Sequence, residues 1–117
     1  MYGTVARMKV QPGNLDELIK RTADTVNARR PKGYLGEIMY KMDANPNEVI
    51  MAVFFADKAS YQANANDPDM NKEYEQYRAL LAADPEWNDG EVLVAVLLIF
   101  HIGGRAMKLN LNIERGM

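Results

Sequence analysis

Residues 91–100, EVLVAVLLIF, hold the longest unbroken apolar run in the chain, the nine side chains from Val92 to Phe100. A helix needs roughly 20 such residues to cross a bilayer, so the run is too short to span one in that form. Rich in valine, leucine and isoleucine, and followed by His101-Ile102-Gly103-Gly104-Arg105, it reads as a β-strand over Glu91–Phe100. Val92, Val94, Val96 and Leu98 then face one way and Leu93, Ala95, Leu97 and Ile99 the other. Both faces are apolar, and leaving them in water would make a template for aggregation.

The rest of the chain supplies the context. Glu48 to Ala56 (EVIMAVFFA) is also apolar on both faces, which suits a central strand. The turn formers Asp43-Ala44-Asn45-Pro46-Asn47 join it to a strand over Tyr34–Met42, so the two read as a hairpin. Even spacing in that strand puts Tyr34, Ile38, Tyr40 and Met42 opposite Leu35, Glu37, Met39 and Lys41. Tyr2 to Val10 alternates as a first strand, with Tyr2, Thr4, Ala6, Met8 and Val10 on one side. Asn14 with Glu17 three residues later resembles a capping box, and Leu15, Leu18, Ile19, Thr22, Ala23 and Val26 follow at helical spacing until Pro31 and Gly33. Asp57 is placed to cap a short helix through Asn66, and Asp67-Pro68 to open another, whose stripe is Met70, Tyr74, Tyr77 and Leu81.

The order β-α-β-β-α-β, with the second helix split, specifies an α+β, ferredoxin-like fold with an antiparallel sheet. Residues 1–100 make one domain and 101–117 a C-terminal extension, in which Met107, Leu109, Leu111 and Ile113 alternate with polar residues as an extra strand in the sheet or the dimer interface. The fourth strand lies at an edge in this topology. With no spare helix to cover Glu91–Phe100, a second copy of the chain is the expected cover, giving a homodimer or a higher homo-oligomer.

Composition sets bounds on chemistry. At 117 residues, with 48% hydrophobic and 26% charged side chains, the chain has the balance of an ordinary soluble domain. Without cysteine there is no disulfide, thiolate metal site or cysteine nucleophile, and a single histidine excludes a multi-histidine metal site within one chain. A net charge of −2 supplies no field to draw nucleic acid or anionic lipid. The start, MYGTVARMKV, lacks the layout of a secretory signal, so a cytoplasmic location is expected.

The stretches YGTVARMKVQPGNLDEL, NPNEVIMAVFFADKASYQANANDPDM and YRALLAADPEWNDGEV resemble the antibiotic biosynthesis monooxygenase-like family, over about residues 2–95. The resemblance implies a dimeric α+β barrel with a pocket in each subunit between sheet and helices, and no flavin or metal. Oxygenase members act on polycyclic aromatic polyketides. They orient or deprotonate an acidic phenol or hydroquinone and let the electron-rich ring reduce dioxygen directly. A haem-degrading relative needs a histidine in the second helical region, and residues 57–85 contain none.

Several side chains suit such a pocket, each with a plainer reading beside it. Tyr61 and Asn64, one helical turn apart, can clamp a substrate oxygen, or serve as a packing tyrosine and a capping amide. Tyr77 with Arg78 can stabilise a phenolate, unless Arg78 pairs with Glu73 or Glu75 on the surface. Tyr61, Asn64, Tyr77 and Arg78 are thus the catalytic candidates. Tyr40, Met51, Phe54, Tyr74 and Trp87 are the substrate-binding candidates, with core filling as their alternative and, for Trp87, plugging of the barrel end. No metal ligands are assigned, and His101 reads more simply as the end of an apolar strand than as a base. The expected function is a cofactor-independent monooxygenase for a small aromatic or quinone-type substrate. The alternatives are an isomerase, cyclase or decarboxylase on a similar ring, or a non-catalytic binding or assembly module.

Overall fold

The structure, a computed structural model, describes residues 1–28, 30–102 and 105–110. A four-stranded antiparallel sheet has the order β2-β3-β1-β4, built from β1 (Tyr2–Lys9), β2 (Tyr34–Met42), β3 (Asn45–Phe55) and β4 (Glu86–Glu91). This is the ferredoxin-like arrangement expected from the element order. β1 and β3 are the inner pair, so the central position expected for β3 holds. Three helices connect the strands: α1 (Leu15–Ala28), α2 (Lys58–Ala65) and α3 (Pro68–Arg78). No helix among the described residues is long and apolar enough to cross a membrane.

Local chemistry fixes the helix ends. Asp57 caps α2 by accepting from the Ser60 amide at 2.7 Å, and Asp67 caps α3 by accepting from the Asp69 amide at 2.8 Å, with Pro68 at the first helical position. Asn14 behaves differently from the expected capping box. Its side-chain amide donates to the Leu80 carbonyl at 3.3 Å and ties the start of α1 to the turn after α3. Before β2 the chain turns through Gly33 at φ +80°, a conformation that glycine adopts without a Cβ penalty. There the Gly33 carbonyl accepts from the Ala56 amide at 2.7 Å.

The sheet register sorts side chains into rows across the helix-covered face. Val49 and Met8 pair in one row, Met39, Met51, Ala6 and Trp87 in the next, then Glu37, Val53, Thr4 and Asp89, then Tyr34, Phe55, Tyr2 and Glu91. The first two rows hold the packed core, where Ala6, Met8, Val49 and Met51 meet Leu18 of α1, with Val10 and Leu81 bridging beside them. Burying side chains of this kind contributes about 1.5–3 kcal/mol each. The opposite face of the sheet carries Val5, Ile38, Tyr40, Ile50, Ala52 and Phe54 and is covered by no helix.

Two expectations are corrected. The fourth strand of the sheet is the polar Glu86–Glu91, exposed along its whole length, and not Glu91–Phe100. An edge strand is held by backbone bonds to one neighbour, which any sequence can supply, and its acidic side chains discourage edge-to-edge pairing. The apolar run instead leaves the sheet. Residues 92–95 are irregular, and β5 (Val96–Ile102) pairs with β6 (Arg105–Asn110) in a separate antiparallel hairpin. The extra strand is thus hairpinned onto the apolar run, while the expectations for residues 103–104 and 111–117 and for the His101 side chain lie outside the described residues. The second correction concerns Tyr34. A register shift between Tyr34 and Gly36 turns it onto the Glu37 face, away from Ile38 and Tyr40.

Candidate functional site

The helix-covered face is not packed throughout: beside a cavity of about 740 Å³ between α1 and β2, lined by Leu15, Ile19, Met39 and Val49, it holds a second space. Toward the rows of Thr4 and Tyr2 the helices stand off the sheet and leave a cavity of about 830 Å³. Its floor includes Glu37, Val53, Thr4 and Asp89, and its roof comes from α2 (Tyr61, Asn64) and α3 (Met70, Tyr74, Tyr77). Arg21 and Thr25 of α1 close one side by bonding to Gln76 at 2.6 Å and to Glu73 at 3.0 Å on α3.

Of the residues expected at the site, Tyr61, Asn64, Tyr77, Met51, Tyr74 and Trp87 all line this cavity. Three do not. The Arg78 guanidinium is held by Asp84, Nε to Oδ1 2.6 Å, and by the Leu81 carbonyl at 3.3 Å, so it braces the turn after α3. Neither Glu73 nor Glu75 is the partner that spacing suggested, because the chain doubles back beyond the helix. Tyr40 and Phe54 lie on the uncovered face of the sheet, since strand alternation puts them opposite Met39 and Phe55.

The aromatic groups pack in two clusters. Tyr2 and Phe55 pack against Tyr61 with ring centroids 5.3 and 5.6 Å away, and Tyr74 packs against the half-exposed Trp87 at 6.0 Å. Tyr61 is more than packing, because its hydroxyl donates to Asp89 Oδ1 at 2.7 Å. Burial and that acceptor push its pKa up to about 12. The Tyr77 hydroxyl donates to the Met51 sulfur at 3.8 Å, and burial pushes this group up to about 12 as well. Both phenols therefore stay protonated at neutral pH and act as hydrogen-bond donors.

Two features escaped the sequence reading. The first is a second tyrosine–carboxylate pair: Tyr34 donates to Glu37 Oε1 at 2.7 Å. Glu37 is half-buried, and burial raises its pKa against the opposing effect of that hydrogen bond. The period-two reading separated these residues, and only the bulge at the start of β2 reunites them. The second is a set of unpartnered polar atoms. Among the described residues three buried side-chain atoms have no hydrogen-bond partner, Thr4 Oγ1, Asn64 Oδ1 and Arg21 Nε, and all three residues line this cavity. The Thr4 hydroxyl lies beside that of Tyr61 without completing a hydrogen bond. Buried polar atoms are normally satisfied, so their concentration around one space marks where a polar ligand can bind.

Comparisons with known proteins agree with this architecture. A solved structure of SnoaB, a cofactor-independent oxygenase from Streptomyces nogalater, superposes with a TM-score of 0.66 at 18% identity, over 78% of this chain and 91% of that one. A protein of unknown function from Nitrosomonas europaea gives 0.65 at 24% identity, over 82% and 92%. A conserved protein from Methanosarcina mazei Go1 gives 0.66 at 17%, over 76% and 89%. A search of curated proteins finds no match. The family model for antibiotic biosynthesis monooxygenase matches residues 1–76, which hold β1 to β3, α2 and the greater part of α3, and the chain accordingly belongs to that family.

Proposed function

We propose that the protein is a cofactor-independent monooxygenase for a small aromatic, quinone-type substrate bound between the sheet and α2–α3. The observation that carries this reading is the open space of about 830 Å³, walled by aromatic rings and bearing the three unpartnered polar atoms. Had the rings of Tyr61, Tyr77 and Trp87 filled that space, a non-catalytic module would fit better. An apolar cavity with a few convergent polar groups suits a planar ring with oxygen substituents. Tyr74 and Trp87 offer faces for stacking, and Asn64 Oδ1 can accept from a ring hydroxyl. The Tyr34–Glu37 and Tyr61–Asp89 pairs flank the floor. Glu37 and Asp89 are three strand spacings apart in one row, about 14 Å between backbones at about 4.8 Å per step. Substrate oxygens at opposite ends of a fused-ring system would meet one pair each. In the reaction the ionised ring supplies electrons to dioxygen. One oxygen atom enters at a ring C–H, the hydroquinone becomes a hydroxyquinone, and the other oxygen atom leaves as water with the two hydrogens lost.

The functional unit in this reading is a homodimer. Val5, Ile38 and Tyr40 on the uncovered face are 47%, 40% and 53% exposed, and a second copy laid sheet to sheet would bury them. Tyr40 and Phe54 then serve the interface and not the substrate.

Dioxygen uptake by purified protein, tested on a panel of naphtho- and anthrahydroquinones without added flavin or metal, decides the oxygenase reading. Uptake above the buffer rate, with a product that has gained one oxygen and lost two hydrogens, supports it. Rates equal to buffer across the panel retire it, and conversion without added oxygen mass would point to an isomerase.

A further inference from the structure

The floor of the cavity holds a carboxylate that the site candidates did not include. Glu37 sits in the middle of β2, in the row of Val53 and Thr4, with its side chain on the helix-covered face. Among the described residues its one hydrogen bond comes from the Tyr34 hydroxyl, to Oε1, and none of them holds the other carboxylate oxygen, which is open to a ligand. Asp89, at the far end of the same row, differs in both respects: it lies on the exposed edge strand β4 and receives the Tyr61 hydroxyl. Other charged or titratable groups stand around Glu37. Arg30 lies in the loop before β2 and acts on Tyr34, and Tyr77 on α3 is close enough to feel the Glu37 charge. Arg21 on α1 is engaged by Gln76 and by Glu17 at 3.6 Å, and Glu73 on α3 accepts from Thr25.

We infer that Glu37, oriented by Tyr34, is the base that ionises the substrate. The O–H bond of a ring hydroxyl breaks, the proton passes to the carboxylate oxygen that Tyr34 does not hold, and the electron pair stays on the ring oxygen as a phenolate. This rests on the reading of the cavity as a site for phenols. Tyr34 is a positioning residue, because it fixes the carboxylate while donating only to it. Burial makes Glu37 a better proton acceptor than an exposed carboxylate, which is the direction a general base near neutral pH requires. A neutral Glu37 beside the new phenolate also avoids placing two negative charges in one half-buried space.

The test uses 4-nitro-1-naphthol, a redox-inert two-ring phenol with a coloured anion, added without oxygen at a pH where the free probe is ionised. Because an ionised Glu37 cannot stay charged beside the bound anion, the wild type is expected to take up about one proton per bound probe, read with a pH indicator. Glu37→Gln is expected to bind the probe without proton uptake, and Asp89→Asn to retain it. Binding without proton uptake in the wild type, unchanged uptake in Glu37→Gln, uptake lost only in Asp89→Asn, or no binding to the wild type would each overturn the assignment. The wild-type measurement decides even if a variant fails to fold. In the hydroquinone assay, Glu37→Gln is expected to lower kcat about 10²- to 10⁴-fold at neutral pH, with the loss shrinking as pH rises and the substrate ionises unaided. Tyr34→Phe should retain proton uptake and slow kcat with little change in KM, and unchanged turnover would remove its positioning role. Dioxygen consumption separates the two readings: if no hydroquinone is oxidised while proton uptake still depends on Glu37, the oxygenase function falls and the base remains.

Discussion

At the scale of single residues the cavity trades stability for readiness to bind. Thr4 is 5% exposed and its hydroxyl has no partner. An unmet buried polar group costs about 1–3 kcal/mol. Thr4→Val keeps the shape and removes that group, so it should raise stability in urea unfolding by about 1 kcal/mol while weakening binding of the naphthol probe. Glu37 behaves alike. Its folded pKa lies above the ordinary value of 4.5, so the native state holds the proton more tightly than the unfolded chain. Stability contributed by Glu37 therefore falls as pH rises from 4.5 through the folded value, and the full penalty is present at neutral pH. Glu37→Gln should raise Tm at pH 7, with the gain vanishing below pH 4.5. A lowered Tm at pH 7 would mean that the Tyr34 bond outweighs the desolvation.

At the scale of elements, the site depends on two short helices with no fully buried residue, α2 and α3. Such helices gain little from packing, so their caps matter more than usual. Asp67 holds the start of α3 at the junction with α2, where Asp67 N–H also donates to the Asn64 carbonyl at 3.2 Å. Asp67→Ala should lower stability by about 1 kcal/mol, measured by thermal unfolding. It should also weaken probe binding, because Asn64, Tyr74 and Tyr77 all hang from the two helices it joins. Caps and cavity-lining residues were both visible at this scale: the Asp57 and Asp67-Pro68 signals located the helices, and one-turn spacing brought Tyr61 and Asn64 to one cavity. Edge strand β4 was not visible, because EWNDGE has no apolar alternation and is recruited by backbone pairing alone.

At the scale of the whole molecule, the uncovered sheet face and the irregular segment before β5 leave apolar area in water. Leu93 and Val94 are 72% and 80% exposed, and Val5 on the open face is 47% exposed. The proposed homodimer predicts that Val5→Glu, a charge at the centre of β1, shifts sedimentation at micromolar concentration from a dimer toward a single chain. A wild type that already sediments as a monomer would remove the dimer and leave the cavity intact. The reason for expecting a partner has moved: it now rests on the covered-on-one-side sheet and not on an apolar edge strand.

The pattern of side chains along the chain was sufficient for the first three strands, the inner position of β3 and the Asp57 and Asp67 caps, because periodicity and turn chemistry are local, while the family was legible only through resemblance to known sequences. Six of the nine candidates the pattern suggested line one cavity, since residues on one stripe of a helix or one face of a strand share surroundings. Tertiary structure alone decided which polar segment closes the sheet edge, that Arg78 turns to Asp84, and that a bulge swings Tyr34 onto Glu37. Each of these depends on backbone pairing or chain reversal between distant segments, which leaves no periodic mark in the amino-acid order.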